Sequence, residues 1–210
     1  HIFERLERCI GIDKSVIATS REKSDDPIEN WAINHKIDFY RGSLNDVLER
    51  YYKAALMYKA QAILRITGDC PLIDPETISE LIDKFRSSDK DGYCLAGGFP
   101  DGLDSQIFSF SAIEKAHKNA KLLSEREHVG PYIENNKELF KIGLYKKFNN
   151  LSHHRWTLDE PKDYEFLKEV FDNLYLRNNQ FSVLDLLNFL DSNPDIFKIN
   201  SNIIRNQGYI

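Results

Sequence analysis

The chain has 210 residues, 41% of them hydrophobic, and 28 Lys+Arg against 33 Asp+Glu give a formal charge of -5. That length buries a core without disulfide staples, the composition excludes a disordered chain, and the acidic surplus argues against a nucleic-acid groove. Nothing approaches a run of about 18 apolar residues or a signal peptide, so no membrane partner is expected; three scattered cysteines (Cys9, Cys70, Cys94) fit a reducing cytoplasm and neither a disulfide framework nor a zinc site.

Ile2, Phe3, Leu6 and Ile10 fall at helical spacing from the first residue, with no capping residue ahead of them. The chain therefore reads as opening inside a helix, with something N-terminal to it missing. Residues 15–20 form a short apolar run ended by hydroxyls, the pattern of a buried strand. A polar turn follows, then a helix carrying Ile28, Trp31, Ala32 and His35, a short strand over 37–40, and a helix carrying Leu44, Val47, Leu48, Tyr51 and Ala55. Residues 62–66 read as another strand. It runs into a loop dense in turn formers, where Asp74 before Pro75 marks a capped helix start continued by Ile78, Leu81, Ile82 and Phe85.

This alternation through residue 85 predicts a parallel sheet covered on both faces, with ligands beyond the carboxyl ends of its strands. Further on, residues 93–96 and 106–110 read as strands around a Gly/Pro/Asp turn. Ser111 with Glu114 and Ser124 with Glu127 have capping-box spacing. A late strand is expected within 140–148, and helices over 161–174 and 182–190. No repeat, linker or low-complexity segment interrupts the chain, which reads as a single domain over residues 1–210.

Asp69 stands behind a buried strand, with glycine before it and Cys-Pro after it. Its carboxylate could reach a hard cation or a ligand hydroxyl; a turn with a helix cap explains the segment at least as well. Cys70 has no histidine near it in sequence and reads as a small buried side chain rather than a nucleophile. Asp159, in Leu158-Asp159-Glu160-Pro161-Lys162-Asp163, has a plain reading as an N-cap ahead of Pro161. Brought together, Asp69 and Asp159 could instead share one magnesium ion, which keeps waters and substrate phosphates among its oxygen ligands. The adjacent His153 and His154 read as surface residues.

Six segments occur in the order found in the spore-coat polysaccharide biosynthesis protein SpsF family. They are Val16-Ile17-Ala18-Thr19-Ser20; Tyr40-Arg41-Gly42-Ser43 with Asp46-Val47-Leu48-Glu49-Arg50-Tyr51-Tyr52; Arg65-Ile66-Thr67-Gly68-Asp69-Cys70-Pro71-Leu72-Ile73-Asp74; Phe99-Pro100-Asp101-Gly102-Leu103-Asp104; Ser124-Glu125-Arg126-Glu127-His128-Val129; and Arg155-Trp156-Thr157-Leu158-Asp159. The chain thus resembles that family and, more widely, the acylneuraminate and 3-deoxy-manno-octulosonate cytidylyltransferases. The resemblance ends near Leu174.

It implies a three-layer α/β/α sandwich with a mostly parallel mixed sheet, of the nucleotide-diphospho-sugar transferase type. It implies transfer of CMP from CTP to a sugar, expected to be an acidic 3-deoxy sugar, with release of pyrophosphate. Asp69 and Asp159 match the magnesium-binding aspartates of the wider superfamily; Thr19, Ser20, Arg41 and Ser43 match its nucleotide-contacting segments. Asp101, Asp104, Arg126 and His128 would face the sugar, Arg126 pairing with a carboxylate and His128 relaying a proton, although charged residues in a first helical turn are more often solvated. The implied partners are CTP and a sugar, and a homodimer is compatible with them. The family's glycine-rich triphosphate loop and the strand before it have no counterpart in residues 1–210, where Gly97-Gly98 is the only Gly-Gly pair. The chain is therefore expected to be a fragment or a copy without that loop. Two alternatives stay open. One is a glycosyltransferase, whose D-x-D metal motif would be Asp89-Lys90-Asp91; the other is a non-catalytic nucleotide-binding domain.

Overall fold

The protein is described by a computed structural model covering residues 1–203. Six strands form among the described residues: β1 (Val16–Ser20), β2 (Asp38–Gly42), β3 (Ala62–Ile66), β4 (Gly92–Leu95), β5 (Ser105–Ser109) and β6 (Ile142–Tyr145). Among them run helices α1 (Ile2–Leu6), α2 (Asp26–His35), α3 (Val47–Met57), α4 (Pro75–Arg86), α5 (Phe110–Asn119), α6 (Leu123–His128), α7 (Gly130–Asn135), α8 (Pro161–Val170), α9 (Val183–Ser192) and α10 (Pro194–Phe197).

β3, β5, β4 and β6 make one sheet in that order. β5 is antiparallel to both β3 and β4, and β4 is parallel to β6. Three of the four strands therefore run one way. Alternating residues supply the two faces. Ala62, Leu64, Ile66 and Ile107 join a core with Leu72, Ile78, Leu81, Trp156 and Phe166, whereas Ile63, Cys94 and Phe108 join Leu48, Ile113, Ala116 and Ile133. This is the three-layer α/β/α arrangement.

Four local expectations need correction. β1 and β2 pair in parallel with each other as a separate two-stranded sheet, so the strands before residue 85 do not all share one sheet. The opening helix stops at Leu6, because the following amides turn back to the carbonyls of Arg5 and Leu6, and Gly11 adopts φ +94°. The cap of α5 is Ser109 rather than Ser111: its hydroxyl accepts from Ala112 N at 3.2 Å. α6 starts at Leu123, ahead of Ser124, because Glu125 reaches back to accept from the amides of Lys121 and Leu122, each at 3.1 Å. Asp74 caps α4 as expected, accepting from Thr77 N at 3.1 Å, with Pro75 at the first helical position.

Candidate active site

Two distant segments are zipped together beyond β3. Leu158 N donates to Asp69 O at 2.8 Å, and Thr157 Oγ1 donates to the same carbonyl at 3.3 Å. Asp69 and Asp159 thus come side by side. Burial and the Asp69 charge raise the Asp159 carboxyl above its ordinary range.

Neither carboxylate is spent on a helix cap. Asp74 does that work for the first segment. For the second, the Asp163 carboxylate accepts from Asp159 N at 3.1 Å and Glu160 N at 2.9 Å. The cap expected at Asp74 is found there, the N-cap reading of Asp159 passes to Asp163, and the Asp159 side chain stays 50% exposed. Among the described residues no group of three or more His, Cys, Asp and Glu is arranged to hold a metal. Two carboxylates still suit magnesium, whose remaining ligands are commonly water and substrate phosphate.

Arg155 organises the pair; it opens the last of the six segments that carry the resemblance, but its spacing from the acidic residues four and eight positions on does not by itself give it a role. Its side chain is 8% exposed. It donates to Asp101 at 3.1 Å, to Asp159 at 3.1 Å, and to both oxygens of fully buried Asp163 at 2.9 and 2.7 Å. Asn200 Nδ2 closes the cluster, donating to Asp163 Oδ1 and to Arg155 O, both at 2.9 Å. Asp101 arrives there because its turn is stitched to the same segment: Trp156 N donates to Asp101 O at 2.7 Å and Asp101 N to His154 O at 3.0 Å. Gly102 makes the approach possible, with φ +97° and a Cβ position only 2.4 Å from the Trp156 carbonyl carbon. Asp104 accepts from Gly102 N at 3.3 Å.

Thr19, Ser20 and Arg41 meet at the carboxyl ends of β1 and β2. Asp25, absent from the expected set, accepts from Thr19 Oγ1 at 2.6 Å and Ser20 N at 2.9 Å, and these bonds lower its pKa to about 2. Arg41 donates to Ser20 O and Glu22 O, each at 2.7 Å, and pairs with Asp26 and Glu29. It braces this rim. Ser43 accepts from Asp46 N at 3.1 Å. Arg126 is committed to Asp46, with Nε at 3.0 Å, and to His117 O at 2.7 Å. Burial and the Arg126 charge lower the His117 pKa, which keeps its ring able to accept from Arg126 at 3.2 Å. Arg126 thus clamps α6 to α3 and α5. His128 closes α6, half-buried, beside Val129, whose φ of +69° is strained for a β-branched residue.

Cys70 is 2% exposed and its thiol is pushed up by burial, so it remains a buried thiol. His154 corrects the surface reading of the histidine pair: it is 8% exposed, and burial lowers its pKa to about 4. Asp89 and Asp91 tie the entry of β4 to that of β6, holding Lys141 Nζ at 2.9 Å and Lys141 N at 2.8 Å. No helix among the described residues is long and apolar enough to cross a membrane.

Residues 1–188 match the sequence profile of the family described as cytidylyltransferase. The chain belongs to the cytidylyltransferase family. Protein MJ1063 of Methanocaldococcus jannaschii is 36% identical over 204 residues, which span 96% of this chain and 83% of that protein. The spore coat polysaccharide biosynthesis protein SpsF of Bacillus subtilis is 29% identical over 87% of this chain and 77% of its own. Among solved structures, a cytidylyltransferase from Leptospira borgpetersenii superposes with a TM-score of 0.85 at 34% identity, covering 92% of this chain and 82% of that one. This cytidylyltransferase is accordingly a nucleotidyltransferase enzyme of the nucleotide-diphospho-sugar transferase fold.

Proposed function

We propose that this cytidylyltransferase transfers CMP from CTP to a hydroxyl of an acidic 3-deoxy sugar destined for surface polysaccharide, releasing pyrophosphate in the cytoplasm. The observation that carries this reading is the Asp69/Asp159 pair, drawn together by the Leu158 amide and relieved of capping by Asp74 and Asp163. Magnesium held there would neutralise triphosphate charge and align the pyrophosphate leaving group.

The chain's own residues supply the rest. Asp69 and Asp159 would hold that ion, and the positive charge it supplies would offset the repulsion between their carboxylates and the α-phosphate. Ser43 lines the base end, with buried Thr19 and Ser20 behind it, held by Asp25, and Arg41 bracing the rim. Asp101 and Asp104 orient the sugar, and His128 takes the proton of the attacking hydroxyl. That oxygen forms the new bond to the α-phosphorus as the bond to the bridging oxygen of pyrophosphate breaks. Arg126, its donors committed to Asp46 and His117, is reassigned from carboxylate binding to holding α6 in place.

Incubation with CTP, magnesium and a panel of sugar acids, followed by a pyrophosphate assay, tests the reading. Pyrophosphate release that depends on one of the acids supports it. Glycosyl transfer from a nucleotide sugar, or no reaction with any acid, overturns it.

A further inference from the structure

Arg41, Arg126 and Arg155 each meet at least one carboxylate, as expected of arginines partly withdrawn from water in a chain with surplus acid. Arg65 does not. It sits half-buried on β3, four residues before Asp69, and among the described residues no carboxylate forms an ion pair with it. Its one acceptor among the described residues is the neutral Gln106 side chain, reached at 3.3 Å across the β3/β5 pairing. Its Nε is enclosed by protein with no acceptor. A guanidinium withdrawn from water without a counter-ion is costly, and here the surrounding residues enforce the arrangement. Gln106 presents its carbonyl oxygen to Arg65 because its amide donates to Glu134 at 2.6 Å. Gly130 makes room for that contact: a Cβ there would lie 2.3 Å from the Glu134 carboxylate and 2.6 Å from the Gln106 amide.

Arg50, on α3, repeats the pattern. It donates to Ala18 O at 3.2 Å, its Nε is also enclosed and unpartnered, and it too forms no ion pair among the described residues. Between the two lies Tyr51, whose hydroxyl donates to Ile66 O at 3.3 Å. Burial raises the Tyr51 pKa, Arg65 and Arg50 oppose that rise, and Asp69 adds to it. The two unpaired guanidiniums and the Asp69 carboxylate therefore gather around one phenol.

We propose that Arg65, oriented by Gln106 and flanked by Arg50, is a binding residue for a substrate oxyanion. The Arg65 Nε cannot reach a ligand, but its Nη2 is not enclosed and donates to no acceptor among the described residues, and that end of the guanidinium suits a carboxylate or a phosphate equally. The anion is accordingly the carboxylate of the acceptor acid or the pyrophosphate end of CTP. This rests on the transfer reaction proposed above.

The test is titration calorimetry on the full chain with Arg65→Gln and Arg65→Lys. One arm uses magnesium pyrophosphate; the other uses a 3-deoxy sugar acid added to protein saturated with a non-hydrolysable CTP analogue. Arg65→Gln should weaken one arm at least tenfold and leave the other within twofold, which identifies the source of the anion. Arg65→Lys, which keeps charge without the fork, should fall between it and wild type, and it decides the matter if the glutamine variant does not fold. Magnesium affinity and melting temperature should stay at wild-type values. Wild-type affinity of the folded variants in both arms overturns the proposal, as does absence of pyrophosphate and acid binding by the wild type. If the wild type binds pyrophosphate and Arg65→Gln loses it while no acid is turned over, the oxyanion site stands and the transfer reaction falls.

Discussion

Asp163→Ala perturbs the buried centre of the site while leaving both proposed metal-binding carboxylates in the chain. Asp163 is 0% exposed; it takes two bonds from Arg155, one from Asn200 and two from the amides opening α8. Removing one partner of a buried pair costs about 3–5 kcal/mol, and a lost cap about 0.5–2 kcal/mol. Arg155 keeps Asp101 and Asp159, so its charge is not stranded, and the expected total lies at about 3–4 kcal/mol. In a domain of this size that lowers Tm by about 6–16 °C. Asp163→Asn keeps a capping oxygen and should cost about half as much.

The pH dependence follows from the direction of the Asp163 shift. Burial alone pushes its carboxyl up, but the bonds from Arg155, Asn200 and the backbone outweigh burial and hold it below the usual range. Its contribution is therefore complete above the unfolded pKa of about 3.9 and is lost as pH falls through the lower, folded value. Urea unfolding of wild type and Asp163→Ala should show a constant gap from pH 5 to 8 that narrows below about pH 4. A gap under about 1 kcal/mol at pH 7, or one that widens on acidification, refutes the role assigned to this cluster.

Asp69→Asn and Asp159→Asn should each reduce magnesium-dependent pyrophosphate release by about a hundredfold or more, at the scale of losing one preorganised electrostatic contact, with Tm little changed. Full activity of either at limiting magnesium would return that residue to a turn-forming role. Cys70→Ala should retain wild-type kcat, since the thiol is buried and pushed up in pKa; loss of turnover in a folded variant would reinstate a chemical role for it. Gly102→Ala should unfold the Asp101 turn or abolish soluble expression, because its Cβ would meet the Trp156 and Thr157 backbone at 2.4 and 2.5 Å. A wild-type melting curve for it would contradict the packing described.

Local chemistry was the most legible. Asp74-Pro75 announces its helix because cap and proline act within one turn, and the apolar runs at residues 16–20 and 62–66 announce their strands. The caps assigned to Ser111 and Ser124 failed because both helices have already begun there: Ser109 caps α5 from ahead of Phe110, and Glu125 accepts from the amides of Lys121 and Leu122 ahead of α6. Sequence spacing named Asp69 and Asp159 but could not bring them together, since the joining bond comes from the backbone of Leu158, which every residue carries. The role of Arg155, named only as the start of a family segment, was illegible for a related reason. A basic residue before an apolar stretch reads as exposed, and only the arrival of Asp101 and Asn200 buries it. The separation of β1 and β2 from the larger sheet left no mark on hydrophobic periodicity, which reports faces and not edges.

The bonds at Arg155 also order events in time. Its partners Asp101 and Asn200 lie 54 and 45 positions away, and Thr157 reaches back 88 positions to Asp69. Contacts of such separation are assembled slowly, because a long stretch of chain must be restrained before any of them is rewarded. At a synthesis rate of about 5–20 residues per second, a nascent chain waits several seconds between making the first aspartate and making the second. Until the region around Asn200 has left the ribosome, Asp163 lacks its last partner. Strands β3 to β6 can pair before then. The acidic pair matures only once that region has emerged, so a ribosome stalled before that point would display the sheet without its completed Arg155 cluster.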